Sequence, residues 1–350
     1  MRALVCASTL LLGSATVTAE GLVNERPEKP VFKEIWGYLM RGGEGGLSGA
    51  EPITDICYVG VNLTLDGRIA DKIRRPQIAL QNGAKPRVHL VVAELSNSSL
   101  LHFSLDPQYG VRPLLVDDIV RVSSDFDGVQ IDFESVSRGD SESFYGFLQE
   151  LRSRLPPEKT LSVAVPARTQ TIDDAYVYSR IASIADRIVV MAYDEHWSTS
   201  APGPVASLPW CARVADYAVA AVGSSKVIMG LPLYGRAWQD KQLARALPFQ
   251  SVEDIVADKQ SETSYASELG PYFEYSENVV VKVFYDDVRS ILDKLRLYRS
   301  KNVNAVSFWR IGLGPADLWS DIDGSDAAGD APSAADIGPA ATNKAGAVSR

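Results

Sequence analysis

The residues of this chain whose types and spacing suit chemistry are concentrated in Phe126-Asp127-Gly128-Val129-Gln130-Ile131-Asp132-Phe133-Glu134. Side chains alternate along a β-strand, so Val129, Ile131 and Phe133 share one face and Gln130, Asp132 and Glu134 the other. The second face grows more acidic toward the strand's C-terminal end. Carboxylates at positions i and i+2 lie roughly 6–7 Å apart. That spacing lets an ionised Asp132 raise the pKa of Glu134 and keep it protonated, as a general acid requires. The plainer reading of the same alternation is a half-exposed strand with its polar face in water.

The elements that must position this strand decide between the two. Further strand-like runs occupy 34–39, 55–62, 87–93, 160–167, 187–194, 226–236 and 305–310. Helical patterns lie near 113–124, 141–155, 174–185, 209–222 and 286–300. Strands alternating with helices over roughly 280 residues predict an α/β fold, a (β/α)8 TIM barrel. Residues 239–282 break the rhythm and read as a small insertion between strands seven and eight. In such a barrel helices cover the parallel sheet, so two carboxylates on the inner face need a reason. Catalytic groups gather at the C-terminal ends of barrel strands. An open doubly wound sheet is the rival, and no nucleotide fingerprint supports it.

The flanks read differently. Residues 1–19 resemble a signal peptide: Arg2, an apolar run over 3–12, then Val17-Thr18-Ala19 before a cut. Residues 20–32 are expected to form an N-terminal extension and 33–320 the barrel. Residues 321–350, made largely of Ala, Gly, Asp, Ser and Pro without an aromatic residue, are expected to be disordered. No other stretch approaches a transmembrane helix. The expected location is secreted or periplasmic, in the cell envelope.

Of 350 residues, 46% are hydrophobic, and the net charge of −9 argues against a nucleic-acid partner. A sugar polymer fits that balance. Cys57 and Cys211 are expected to be buried free thiols. His89 and His102 have no acidic or cysteine neighbour at ligand spacing, and Asp286-Asp287 reads as a helix start, so no metal and no cofactor are expected. A monomer is the expected state.

The pattern Asp127-Gly128-x-x-x-Asp132-x-Glu134 resembles the signature of glycoside hydrolase family 18, the chitinase-like hydrolases. Gln130 stands where many members have a further aspartate, a departure similar to that of the spore-cortex lytic, peptidoglycan-directed N-acetylglucosaminidases. Met191-Ala-Tyr193-Asp194 and Gly230-Leu-Pro-Leu-Tyr234-Gly-Arg236-x-Trp238 resemble the family's sixth- and seventh-strand elements. Phe284-Tyr-Asp-Asp287-Val-Arg-Ser290 and Val306-Ser-Phe308-Trp309-Arg310 resemble the closing segments of the spore-cortex branch. The likeness covers roughly residues 33–313.

The resemblance implies a retaining hydrolase cleaving β-1,4 bonds after N-acetylglucosamine in peptidoglycan or chitin, with the substrate's 2-acetamido oxygen as nucleophile. Glu134 would be the acid/base and Asp132 the group orienting the acetamide. Tyr193 and Asp194 would hold the acetamide and the reacting sugar. Alternation would send these two to opposite faces, so the strand must end or bulge there. Trp309 would floor the cleavage site. Tyr234, Trp238 and Tyr38 are further candidates to line the cleft, and His196 and Trp197 after Asp194 read either as substrate contacts or as exposed loop residues. Gln130 would hydrogen-bond Asp132, which should then ionise more easily than beside an aspartate. A non-catalytic, lectin-like barrel of the cell envelope is the alternative; the presence of Glu134 favours the enzyme.

Overall fold

The structure, a computed structural model, describes residues 29–70, 73–81, 83–239, 244–276 and 280–324. The expected signal peptide lies outside the described residues, as do 20–28 of the expected extension and 325–350 of the expected tail.

Eight strands form the barrel: β1 Glu34–Met40, β2 Asp55–Asn62, β3 Arg87–Glu94, β4 Gly128–Phe133, β5 Thr160–Pro166, β6 Arg187–Met191, β7 Val227–Pro232 and β8 Ala305–Trp309. They are parallel in chain order, and β8 closes the ring by pairing with both β7 and β1. This is a (β/α)8 barrel, as the rhythm of apolar runs predicts. The outward side chains, among them Ile35, Leu90, Val129, Ile131, Phe133 and Val163, merge with the helices into one core. The inward ones, Trp36, Tyr38, Cys57, Val91, Ala93, Val189, Ile228 and Ala305, fill the lumen. Gly128 is required by this packing, because a Cβ there would collide with the His89 ring and the Thr160 carbonyl. Cys57 and Cys211 are both buried and free.

The outer ring holds α1 Ser98–Leu105, α2 Arg112–Val122, α3 Ser141–Arg154, α4 Tyr178–Ala182, α5 Leu208–Val222 and α7 Val288–Ser300, with α6 Phe249–Lys259 in the insertion. Asp287 caps α7 in a capping box with Ser290, worth about 1 kcal/mol, so this acid does start a helix. The helix expected over 174–185 shrinks to α4, because the Asp174 carboxylate accepts the Tyr176 N–H at 2.8 Å and holds a non-helical turn. Between β2 and β3 no helix is found among the described residues; Leu63 and Ile69 join the core in its place. None of the described helices is long and apolar enough to cross a membrane.

Two boundaries are corrected. The strand expected over 226–236 leaves the barrel after Pro232, and Tyr234–Gln239 instead pairs with Val280–Phe284 and Arg245–Pro248. The inserted sheet has five antiparallel strands and is packed by Val252 of α6, so the insertion runs from Tyr234 to Phe284 rather than over 239–282. At the ends, Val31–Phe32 pairs with Asp323–Gly324, which brings parts of the expected extension and tail into the folded body.

Candidate active site

β4 raises Gln130 and Asp132 inside the barrel, at 0% and 5% exposure, and ends so that Glu134 emerges at the open C-terminal mouth. The Glu134 N–H bonds the Glu94 carbonyl at 2.9 Å. Tyr176 braces both sides of Glu134: its hydroxyl donates to the Phe133 carbonyl at 2.6 Å and accepts the Val136 N–H at 3.0 Å. Tyr176 carried no sequence signal, since it lies far along the chain on the loop after β5.

The Asp132 carboxylate has a buried Oδ1 without a hydrogen-bond partner. Burial, and then the charge of Glu134, push Asp132 up to about 7. Burial, and then the Asp194 charge, raise Glu134. The expectation that Asp132 would be the charge acting on Glu134 is therefore corrected: desolvation leads for both, and Asp194 is the charged neighbour that counts at Glu134.

Gln130 does not bond Asp132, contrary to expectation. Its Oε1 accepts from the Tyr38 hydroxyl at 2.6 Å and its Nε2 donates to Ser162 Oγ at 3.3 Å. The amide is tied sideways across the lumen, to β1 and β5. Asp132 is also not easier to ionise than an ordinary aspartate, because burial without a compensating donor favours its neutral form.

β6 ends at Met191, as the pairing of Tyr193 with Asp194 requires. The Ala192 and Tyr193 N–H groups bond the carbonyls of Val190 and Met191, both at 2.8 Å, in tight successive turns. Asp194 has φ 59°, a left-handed conformation that turns its side chain into the site. Gly230 admits Tyr193, since a Cβ there would lie 3.1 Å from the Tyr193 ring and 2.8 Å from the Val190 carbonyl. Burial and then the charges of Tyr234, Asp132, Glu134 and Asp194 raise the Tyr193 hydroxyl, which places it among the acids.

Asp194 Oδ1 gathers three donors: the Tyr234 hydroxyl at 2.6 Å, Arg236 Nε at 2.9 Å and Arg236 Nη2 at 2.7 Å. Arg236 was not foreseen as a site residue. The signal was available, because it stands two residues beyond Tyr234 on the same strand face.

Trp309, half-buried at the end of β8, meets Tyr38 edge-on with centroids 5.1 Å apart. Tyr38 and Tyr234 are buried beneath the surface groups rather than open in the cleft. Trp238 stands apart, contrary to expectation. Its indole is 6% exposed, packs on Phe284 and donates to the Ser200 carbonyl at 3.1 Å, tying the loop after β6 to the inserted sheet. On that loop His196 Nδ1 bonds the Ala201 carbonyl at 2.9 Å, and Trp197 is 51% exposed. His89 and His102 each find an acid across space, Asp55 and Asp140, at 2.7 and 2.6 Å. Among the described residues no cluster of His, Cys, Asp and Glu could hold a metal ion.

The sequence and the fold match known proteins. Glycosyl hydrolases family 18 matches residues 114–314, and the chain belongs to that family. A putative sporulation-specific glycosylase YdhD of Bacillus subtilis is 35% identical over 58% of this chain and 51% of its own length. A cortical fragment-lytic enzyme of Bacillus cereus is 25% identical over 76% of this chain and 66% of its own. The chain thus spans half to two thirds of these relatives. The crystal structure of the Bacillus cereus spore cortex-lytic enzyme SleL shares the fold, with TM-score 0.74, 21% identity, and 85% and 76% of the two chains covered.

Proposed function

We propose that the chain is a secreted retaining glycoside hydrolase that cleaves β-1,4 bonds after N-acetylglucosamine in peptidoglycan by substrate-assisted catalysis. The observation that carries this reading is the buried, unpartnered Asp132 carboxylate beside an open Glu134, both raised in pKa, at the mouth of a family 18 barrel. A buried acceptor without a donor is costly unless a ligand supplies one. An acetamide N–H is such a donor.

In the proposed cycle Glu134, kept protonated by its surroundings, gives its proton to the glycosidic oxygen. The substrate's acetamido carbonyl oxygen attacks the anomeric carbon from the opposite face as the C–O bond breaks. Asp132 accepts the acetamide N–H and favours the positive charge of the resulting oxazolinium ring. Glu134, now a carboxylate, takes a proton from water, and that water opens the ring on the face the leaving group vacated. The configuration is retained. In this cycle the Tyr193 hydroxyl donates to the acetamide oxygen. Asp194, fixed by Tyr234 and Arg236, addresses the reacting sugar and sustains the proton affinity of Glu134. Trp309 supplies the ring floor. Peptidoglycan is preferred to chitin because the cortical fragment-lytic relatives align over more of this chain than the chitinases, which also match.

The experiment is product analysis with purified protein and its Glu134→Gln variant on peptidoglycan and on chitin oligosaccharides. New reducing N-acetylglucosamine ends from peptidoglycan, absent with the variant, are the expected result. Cleavage of chitin alone would move the substrate, and binding without products from either would leave a lectin-like barrel.

A further inference from the structure

At the barrel's open face the Arg310 side chain has no protein partner among the described residues. Arg310 follows Trp309 at the end of β8, and its backbone is held on every side. The Trp309 carbonyl accepts the Leu233 N–H at 2.7 Å, and the Ile311 N–H donates to the Tyr38 carbonyl at 3.0 Å. The Arg310 carbonyl accepts the Leu313 N–H at 3.3 Å across a turn whose Gly312 has φ 85°. Its Cα is thereby fixed between the ends of β1 and β7, adjacent to the proposed sugar floor. The side chain is half-buried, and among the described residues it forms no ion pair or hydrogen bond.

Its neighbours on the same face behave otherwise. Arg236 is spent on Asp194, Arg138 on Asp173 and Arg168 on Asp174. At the opposite end of the lumen Arg187 and Arg87 are paired with Glu34 and Asp55. A half-buried guanidinium left over in so thoroughly paired a set is ready for an external anion.

The substrate supplies a reason for one. A chain of N-acetylglucosamine alone is neutral and needs no cation. The acids at this mouth, Glu134, Asp132 and Asp194, would repel a carboxylated sugar. In peptidoglycan every second sugar bears a lactyl ether ending in a carboxylate, free or extended by a peptide with its own carboxylates. We propose that Arg310 is a specificity-determining residue that pairs with this carboxylate and makes the site select N-acetylmuramic-acid-containing chains over chitin. The proposal rests on the substrate reading of the site given above. Planar two-point pairing suits guanidinium and carboxylate, and the rigid backbone limits the entropy lost on binding.

The test is calorimetric binding in the Glu134→Gln background, which holds the chain without cleaving it. The ligands are a GlcNAc–MurNAc tetrasaccharide with free lactyl carboxylates, the same chain carrying stem peptides, and chitotetraose. Arg310→Gln is expected to reduce the preference for carboxylated over neutral chains about tenfold, and Arg310→Lys to restore part of it. The arm that loses the preference identifies whether the lactyl or the peptide carboxylate is read. An unchanged preference overturns the proposal. Equal weakening for all three ligands overturns it too, because that is what a purely structural arginine would give. Failure of the hydrolase reading is seen separately, as no product from the Glu134-intact chain while the affinity preference still depends on Arg310.

Discussion

The two ends of the barrel lumen treat the same residue type in opposite ways. At the N-terminal end Asp55 is fully buried, as Asp132 is nearly so at the C-terminal end. Burial alone would raise the Asp55 carboxyl, yet His89 at 2.7 Å, Arg87 at 2.8 Å and the Thr54 hydroxyl at 2.6 Å bring it below its ordinary value. Asp132 has the burial without the donors and rises to about 7. The difference lies in the partners and not in depth. One end satisfies its charges and holds the barrel closed; the other leaves them wanting a ligand. Position along a barrel strand thus separates stability from chemistry.

The sharpest way to break this comparison is at the mouth. Glu134→Gln is expected to lower turnover about 10³-fold while leaving the thermal midpoint within a degree or two, read by product release and calorimetry. At the closed end the effect should reverse. Asp55→Ala strands a buried His89 and its Arg87, and is expected to cost about 3 kcal/mol in urea unfolding, with activity per folded molecule unchanged.

Asp132→Asn should separate the two quantities within one residue. Turnover is expected to fall about 10²-fold, because the acetamide N–H loses its charged acceptor. Stability should rise. A carboxyl raised to about 7 in the folded state contributes stability fully below the ordinary carboxylate range, near 4, and loses it as pH climbs through 7. The variant lacks that loss, so its advantage should appear in unfolding curves at pH 8 and fade at pH 4. The Asp55 contribution has the opposite sign, present above the ordinary range and lost as pH falls through its depressed value. The smallest expected effect is that of Gln130→Asp. A second carboxyl below Asp132 is expected to shift the acidic limb of the pH–rate profile with less than a tenfold change in turnover at the optimum. An unmoved profile would mean that Gln130 acts only through Tyr38 and Ser162.

Much of this contrast was legible in the residues. The acids of β4 follow from period-two alternation, and the barrel from repeated apolar runs bounded by helices. The Tyr193-Asp194 turn was legible as a contradiction, since both could not face the cleft from a straight strand. What escaped depends on distance along the chain or on ambiguity of period. Asp55 and His89 meet only because β2 lies beside β3. The alternation of 226–236 continues unbroken through Leu233, and alternation does not say which sheet a strand joins. Trp238 was expected to line the cleft because it closes a family-like motif after Tyr234, whereas its place in the inserted sheet turns it onto Phe284. The unpartnered state of Asp132 is a property of everything around it, and no local pattern encodes an absence.

The central claim is that the acids at the mouth work with the substrate's own acetamide. It is tested most directly by following the anomeric protons during the first minutes of cleavage of an N-acetylglucosamine-containing oligosaccharide by proton NMR. The account predicts that the β-anomer of the new reducing end appears first and mutarotates afterwards. Initial release of the α-anomer would contradict it, because inversion requires a water, and not the acetamide, on the opposite face of the ring.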